Sequence, residues 1–305
     1  MLANLRRTLD RWGALADDLA PDDDLAAFLR RGQYALADLY RARHTFSELR
    51  HRKGYVDHAP TGPIANALPR VLHVDDPDRL AAFQRFLTHK PAPDRDDPHL
   101  RQLFALLGYE KRPLADLPGF VDDLWADPVL RLELRDLFAV LEDQQRHETW
   151  PIAGLPLRAH ATYSRAEILA ALGVVNQSDV VYNLREGVYK SDLHRCDLFF
   201  VTLDKDERDF TPTTLYQDYP ISPTRFHWQS QSGTREDSAT GRRYREAPEG
   251  WRFFLFVRRA KREGRGETCP FLCQGPSGDM LRGREVPRAL IAASCRGHSP
   301  IERVN

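Results

Sequence analysis

The chain has 305 residues, 42% hydrophobic and 29% charged, with Lys plus Arg equal in number to Asp plus Glu. That balance belongs to globular domains and the length suffices for two, so a disordered or fibrous chain is excluded. No apolar run approaches the ~20 residues of a membrane helix, the charged N-terminus predicts no secretory signal, and four scattered cysteines point to a reducing cytoplasm.

Residues 1–20 predict a helix with Leu2, Leu5, Leu9, Trp12 and Leu15 on one face. A second helix follows Asp22, Asp23 and Asp24, whose charges suit a helix N-terminus. Its apolar face would run from Leu25, Phe28 and Leu29 through Tyr34, Leu36 and Leu39. Helical spacing recurs over 45–50, 77–87, 98–108, 113–125 and 128–145. In the last of these, Leu130, Leu132, Leu134, Leu137, Phe138 and Leu141 are expected to form a buried stripe. Proline-rich breaks separate the helices at 60–69, 91–98 and 150–156.

The pattern changes after residue 155. Ser164 and Glu167 have capping-box spacing, and Gly173 supplies a stop, so 164–172 predicts a short helix. Strands are expected over 187–189, 197–203, 251–257 and 270–273, which are rich in aromatic and β-branched residues. The long connections 204–228 and 229–250 are polar. The fold class is therefore α+β: an all-helical half over 1–155, a barrel-like or bent-sheet β-rich module over 156–277, and an atypical tail over 278–305.

Charge follows the same division. Before residue 151 there are 25 acids and 21 bases; from 151 onward there are 19 acids and 23 bases. Within the β-rich part, Tyr216, Tyr219, Arg225, His227, Trp228, Gln229 and Gln231 crowd one segment. Rings to stack on, with amides and a guanidinium for polar edges, are the composition of a nucleic-acid-reading surface. The same rings would equally plug a small barrel. The polar loop 232–244 adds Arg242 and Arg243, and Arg258 lies in a basic run around the 251–257 strand. Such residues neutralise phosphates, and also populate solvated loops.

The chemical motifs are incomplete. Cys269-x3-Cys273 and Cys295-x2-His298 imitate paired zinc ligands, but Pro270, Phe271 and Leu272 read as strand, so no metal site is assigned. Lys205, between Asp204 and Asp206, sits in a turn and not on the strand that a metal-dependent nuclease requires. His227 has no nucleophile partner in the sequence, and neither a Gly-x-Ser-x-Gly elbow nor a phosphate-binding Gly-x4-Gly-Lys loop occurs. His58, His73 and His89 are isolated and read as structural. No catalytic residue and no cofactor is expected.

Residues 163–173, 187–189, 197–205, 210–219, 226–231 and 240–244 together resemble one module. It is the C-terminal domain, without assigned function, of bacterial superfamily II helicases of the DEAD/DEAH type, many of which also carry a phospholipase D-like nuclease domain. The helical half, including 71–80, resembles the segment that precedes that module, so the similarity covers roughly 1–276. The resemblance implies a non-catalytic accessory part of a helicase/nuclease system in DNA repair or defence. It would contact duplex DNA, plain or modified, through the ten residues named above. The alternatives are a docking module for a helicase or nuclease subunit, and a metal-dependent nuclease. After residue 276 the resemblance lapses. The aromatic strand expected there is missing, as a change of reading frame near residue 278 would produce.

Overall fold

The computed structural model describes residues 13, 15–40, 44–108, 112–145, 147–182, 184, 186–204, 219–222, 225–228, 234–235, 237–246, 248–263, 267–268, 271–276 and 285–286. The chain divides into two compact units. The first comprises Met1–Arg146 and Ala166–Tyr182, the second His147–Arg165 and Asn183–Asn305.

The first unit is helical. It contains α1 (Leu25–Gly32), α2 (Leu36–Tyr40), α3 (Phe46–Arg52), α4 (Pro63–Ala67), α5 (Pro77–Thr88), α6 (Pro98–Leu107), α7 (Leu117–Ala126), α8 (Pro128–Asp143), and α9 (Arg165–Ala171) from Ala166 onward. Three of these helices start at an Asp-Pro pair. In each, the aspartate accepts from backbone N–H groups of the first turn, and proline occupies a position whose own N–H would be orphaned. Asp76 accepts from Asp78 and Arg79 at 2.9 and 3.2 Å, Asp97 from His99 and Leu100 at 2.9 and 3.0 Å, and Asp127 from Val129 and Leu130 at 2.9 and 3.2 Å.

The structure departs from the sequence expectations at several points. The single helix read from Leu25 to Leu39 is two, because Gln33 adopts a left-handed conformation at φ 52° and ends α1. The proline-rich stretch 60–69 is not simply a break: Pro63 starts α4, and the chain continues as a 3-10 turn over Leu68–Val71. Leu132 is half exposed, while Leu130, Leu134, Leu137, Phe138 and Leu141 are buried. Two residues are about 200° of helical rotation, which carries Leu132 to the side opposite Leu130. Of the helix expected over 1–20, Leu15 and Leu19 are buried, and residues 1–12 lie outside the described set.

The core of this unit contains tilted Phe83–Phe138 and edge-on Phe104–Phe120 ring pairs, with centroids 5.4 and 5.2 Å apart. Several charged groups are buried with it. Glu133 accepts from Tyr40 Oη at 2.6 Å and from the Phe46 and Ser47 N–H groups at 2.7 Å each, and it bonds the Ser47 hydroxyl. Arg79 bonds Glu167 of α9, whose other oxygen is 2.6 Å from His73 Nε2. Arg101 caps the end of α9, donating to the carbonyls of Ala170 at 2.6 Å and Ala171 at 2.8 Å. Gly173 closes that helix at φ 71°, and Val174 N–H reaches back to Leu169 O at 2.9 Å.

The second unit is β-rich: β1 (Trp150–Pro151) pairs with β2 (Arg158–Ala159), β9 (Arg262–Glu263) pairs with β10 (Glu267–Thr268), and the main sheet has five strands. They are β3 (Thr162–Tyr163), β4 (Val188–Ser191), β5 (Cys196–Asp204), β8 (Arg252–Ala260) and β11 (Phe271–Pro276), in the order β3-β11-β8-β5-β4. β5 and β8 are parallel neighbours and all other pairings in this sheet are antiparallel. These two strands are buried over 196–202 and 253–257, which explains why they read as continuous apolar runs. β6 (Tyr219–Ser222), β7 (Arg225–His227) and β12 (Glu285–Val286) form a three-stranded sheet. β12 pairs with β7 through Glu285 and Val286, so the atypical tail contributes a short strand of its own.

Along β5 and β8 the side chains alternate between two faces. Phe199, Val201, Phe253, Leu255 and Val257 lie on one face with Trp228 and Tyr244. Phe200 and Phe256, opposite each other in register, stack on the other face at 5.4 Å, with Phe271 edge-on to Phe200. Cys196 is wholly buried at the start of β5, and burial pushes its thiol up to about 12. A thiol held that far above its ordinary value carries on the order of a thousandfold less thiolate at pH 8. Iodoacetamide should therefore label Cys196 only on unfolding, as read by peptide mass spectrometry. Labelling of the folded chain at the rate of a free cysteine would contradict this burial.

Candidate nucleic-acid interface

The basic segment after residue 232 is not a loop throughout. Residues Ala239–Glu246 form α10. Ser238 starts this helix, its Oγ accepting from Gly241 N–H at 3.0 Å and its carbonyl from Arg242 N–H at 2.9 Å. Serine favours that position because its short side chain reaches back to the free N–H groups of the first turn.

Two side chains fix α10 to the sheet. Tyr244 is buried against Phe199 at 5.6 Å, Trp228 at 5.4 Å and Phe253 at 6.1 Å. Burial, and then the charge of Asp197, holds its hydroxyl above the ordinary tyrosine range. Arg243 forks onto the buried Asp197, with Nε 2.7 Å from Oδ2 and Nη2 3.0 Å from Oδ1. Trp251 Nε1 donates to the same Asp197 Oδ2 at 2.8 Å. A buried carboxylate held by a two-pronged guanidinium and an indole N–H is a well-satisfied charge. Arg243 is therefore an anchor in this arrangement. Its neighbours Arg242 and Arg245 are exposed, and Arg245 lies 3.7 Å from the equally exposed Glu246.

The residues singled out in the sequence are distributed as follows. Trp228 is a core ring, 4.5 Å from Phe199, and takes the plugging role that was one of its two readings. Arg242 and Arg243 share α10, one outward and one inward. Arg258 lies on β8 in register with Thr202, whose hydroxyl accepts from its Nε at 2.9 Å. That places Arg258 with Phe200 and Phe256, on the sheet face opposite Tyr244 and Asp197. Tyr219, Arg225 and His227 belong to the β6–β7 hairpin, where Tyr219 pairs with His227. Their side chains, and all of Tyr216, Gln229 and Gln231, lie outside the described residues. Among the described residues no cluster of His, Cys, Asp or Glu is arranged to hold a metal ion.

Sequence reasoning passed over Asp197, Trp251 and Tyr244, which secure α10. A signal existed. Asp197 interrupts an otherwise apolar run between Cys196 and Leu198, and a carboxylate in such a run requires a buried partner.

Residues 157–274 match the model of a family described as a domain of unknown function (DUF3427). A comparison with curated proteins gives no match. The matched segment includes four strands of the main sheet, the first four residues of β11, and α10, and it also includes Ala166–Tyr182, which belong to the helical unit.

Proposed function

We propose that the chain is a non-catalytic, DNA-contacting accessory module, and that α10 is a phosphate-contacting element of its β-rich unit. The observation that carries this reading is the division of labour along α10. Tyr244 and Arg243 seat the helix on the sheet, while Arg242 and Arg245 stand exposed on it. Arginines on a fixed helix lose less freedom on meeting a phosphate than arginines on a loop. Base contacts are assigned to the aromatic and amide residues of 216–231 other than the buried Trp228. The resemblance to helicase C-terminal domains supplies the context: a cytoplasmic partner of a DEAD/DEAH-type motor or its nuclease, in repair or defence, with duplex DNA as the ligand.

Fluorescence anisotropy with a labelled duplex over a range of salt tests this. Wild type should bind at low salt and weaken linearly in log–log terms. The Arg242→Ala/Arg245→Ala double variant should bind more weakly and lower the salt slope by about 2, close to one for each lost phosphate contact. A flat titration of the wild-type chain at low salt, with plain and modified duplex alike, would sink the proposal.

A further inference from the structure

α10 shares its face of the sheet with a lysine. Lys190 of β4 pairs in register with Asp197 of β5, and side chains at paired positions of adjacent strands point to the same side. Val188, two residues earlier on β4, packs against the cluster of Phe199, Trp228 and Tyr244 and so marks that side. Lys190 therefore lies on the face where Asp197 receives Arg243 of α10. One ring joins the two cations. Lys190 Nζ lies 5.5 Å, and the Arg243 guanidinium carbon 5.3 Å, from the centroid of Trp251, whose indole N–H is donated to Asp197. The two charges are thus no further apart than those two distances together allow.

The two cations are held differently. Arg243 is fixed by both prongs to a buried carboxylate and is 12% exposed. Lys190 is 43% exposed, and the anion beside it is Asp192, 2.5 Å away and itself 74% exposed. An ion pair this open to water is screened and stabilises little. A strand of phosphates, which releases condensed counterions when a lysine meets it, can take Lys190 from such a partner. The π face of Trp251 meanwhile holds the ammonium close to the foot of α10.

We propose that Lys190 is a further phosphate-contacting residue of the α10 surface, exchanging Asp192 for a phosphate of the duplex on binding. The inference rests on the DNA-contacting reading of α10 and adds to it a position on the sheet itself. It also gives Asp192 a part, as the charge that the duplex displaces.

Anisotropy titrations of the full chain with a labelled duplex, over a range of salt, test this. Lys190→Gln should bind several-fold more weakly at low salt and lower the log–log slope by about 1. Lys190→Arg keeps the charge and should retain most of the affinity that Lys190→Gln loses. Asp192→Asn should bind more tightly than wild type. That gain should shrink in the Lys190→Gln chain, where the carboxylate has no lysine to withhold. Both positions are exposed, and near-ultraviolet circular dichroism checks that each variant keeps the packing of its rings. A wild-type chain that binds no duplex removes this inference together with the reading beneath it. Where wild type binds and Arg242→Ala/Arg245→Ala weakens binding, a Lys190→Gln chain with the wild-type slope overturns this inference alone. An Asp192→Asn gain of the same size in both backgrounds overturns it too, because a general effect of charge would then account for the gain.

Discussion

Replacing Glu133 by alanine should destabilise the helical unit by about 3–5 kcal/mol, seen as a lower urea midpoint. The carboxylate is buried on α8 and accepts from four donors: the Tyr40 hydroxyl, the Ser47 hydroxyl, and the N–H groups of Phe46 and Ser47. The last two are the opening N–H groups of α3, which lack partners within the helix. Truncation therefore leaves several buried donors unsatisfied and opens a void. Glu133→Gln keeps the volume and one acceptor, so it should cost less than alanine. Acidity separates the two further. Burial raises the Glu133 carboxyl above its ordinary range, more than the Ser47 and Tyr40 hydrogen bonds lower it. An acid whose folded pKa is raised gives its full stabilisation below the unfolded value and loses it as pH climbs through the folded one. The stability gap between wild type and Glu133→Gln should accordingly be widest under acidic conditions and narrow toward neutrality. A gap that widens with pH would contradict the direction of the shift.

The Arg79–Glu167 pair should give a loss of similar size with a different signature. Both side chains are fully buried, and Asp76 Oδ2 and Asp75 Oδ1 lie 3.4 and 3.6 Å from the guanidinium. Arg79→Met strands the Glu167 carboxylate, with His73 as its remaining neighbour among the bonds described above. The cost of a buried charge deprived of its partner is about 3–5 kcal/mol. The Arg79→Met/Glu167→Leu chain removes both charges and should recover most of that loss, since apolar replacement of a buried pair is often close to neutral. A double-mutant cycle in urea reads the coupling. Additive losses would mean that the two residues stabilise the fold independently.

How much of this was legible in the sequence depends on the range of the interaction. Helices were readable from the local spacing of apolar residues, as over 98–108 and 128–145, although the Asp-Pro pair that starts each of these two went unread. The central strands were readable because burial on both faces leaves an unbroken apolar run, as in β5 and β8. Long-range pairing was not. Nothing near Arg79 announces Glu167, 88 positions later. Nor does the local Ser164/Glu167 spacing announce that the Glu167 oxygens meet Arg79 and His73. The candidate surface was legible in composition more than in geometry. Arg242, Arg243 and Arg258 were singled out as one group because they share a charge. Alternation along a strand and rotation about a helix send them in three directions: outward, into the Asp197 pocket, and to the opposite sheet face.

The return of Ala166–Tyr182 to the helical unit has a consequence for synthesis. A ribosome delivers the chain from the N-terminus, and domains made first generally fold first. Here the first 146 residues emerge with Arg79 and Arg101 lacking α9, the element that supplies the carboxylate for one and the terminal carbonyls for the other. Completion must wait until that segment has cleared the exit tunnel, by which time the opening residues of the second unit have emerged as well. The bulk of the helical unit is thus made before the β-rich one without being able to finish alone, and a nascent chain halted just short of α9 would hold two buried arginine positions open.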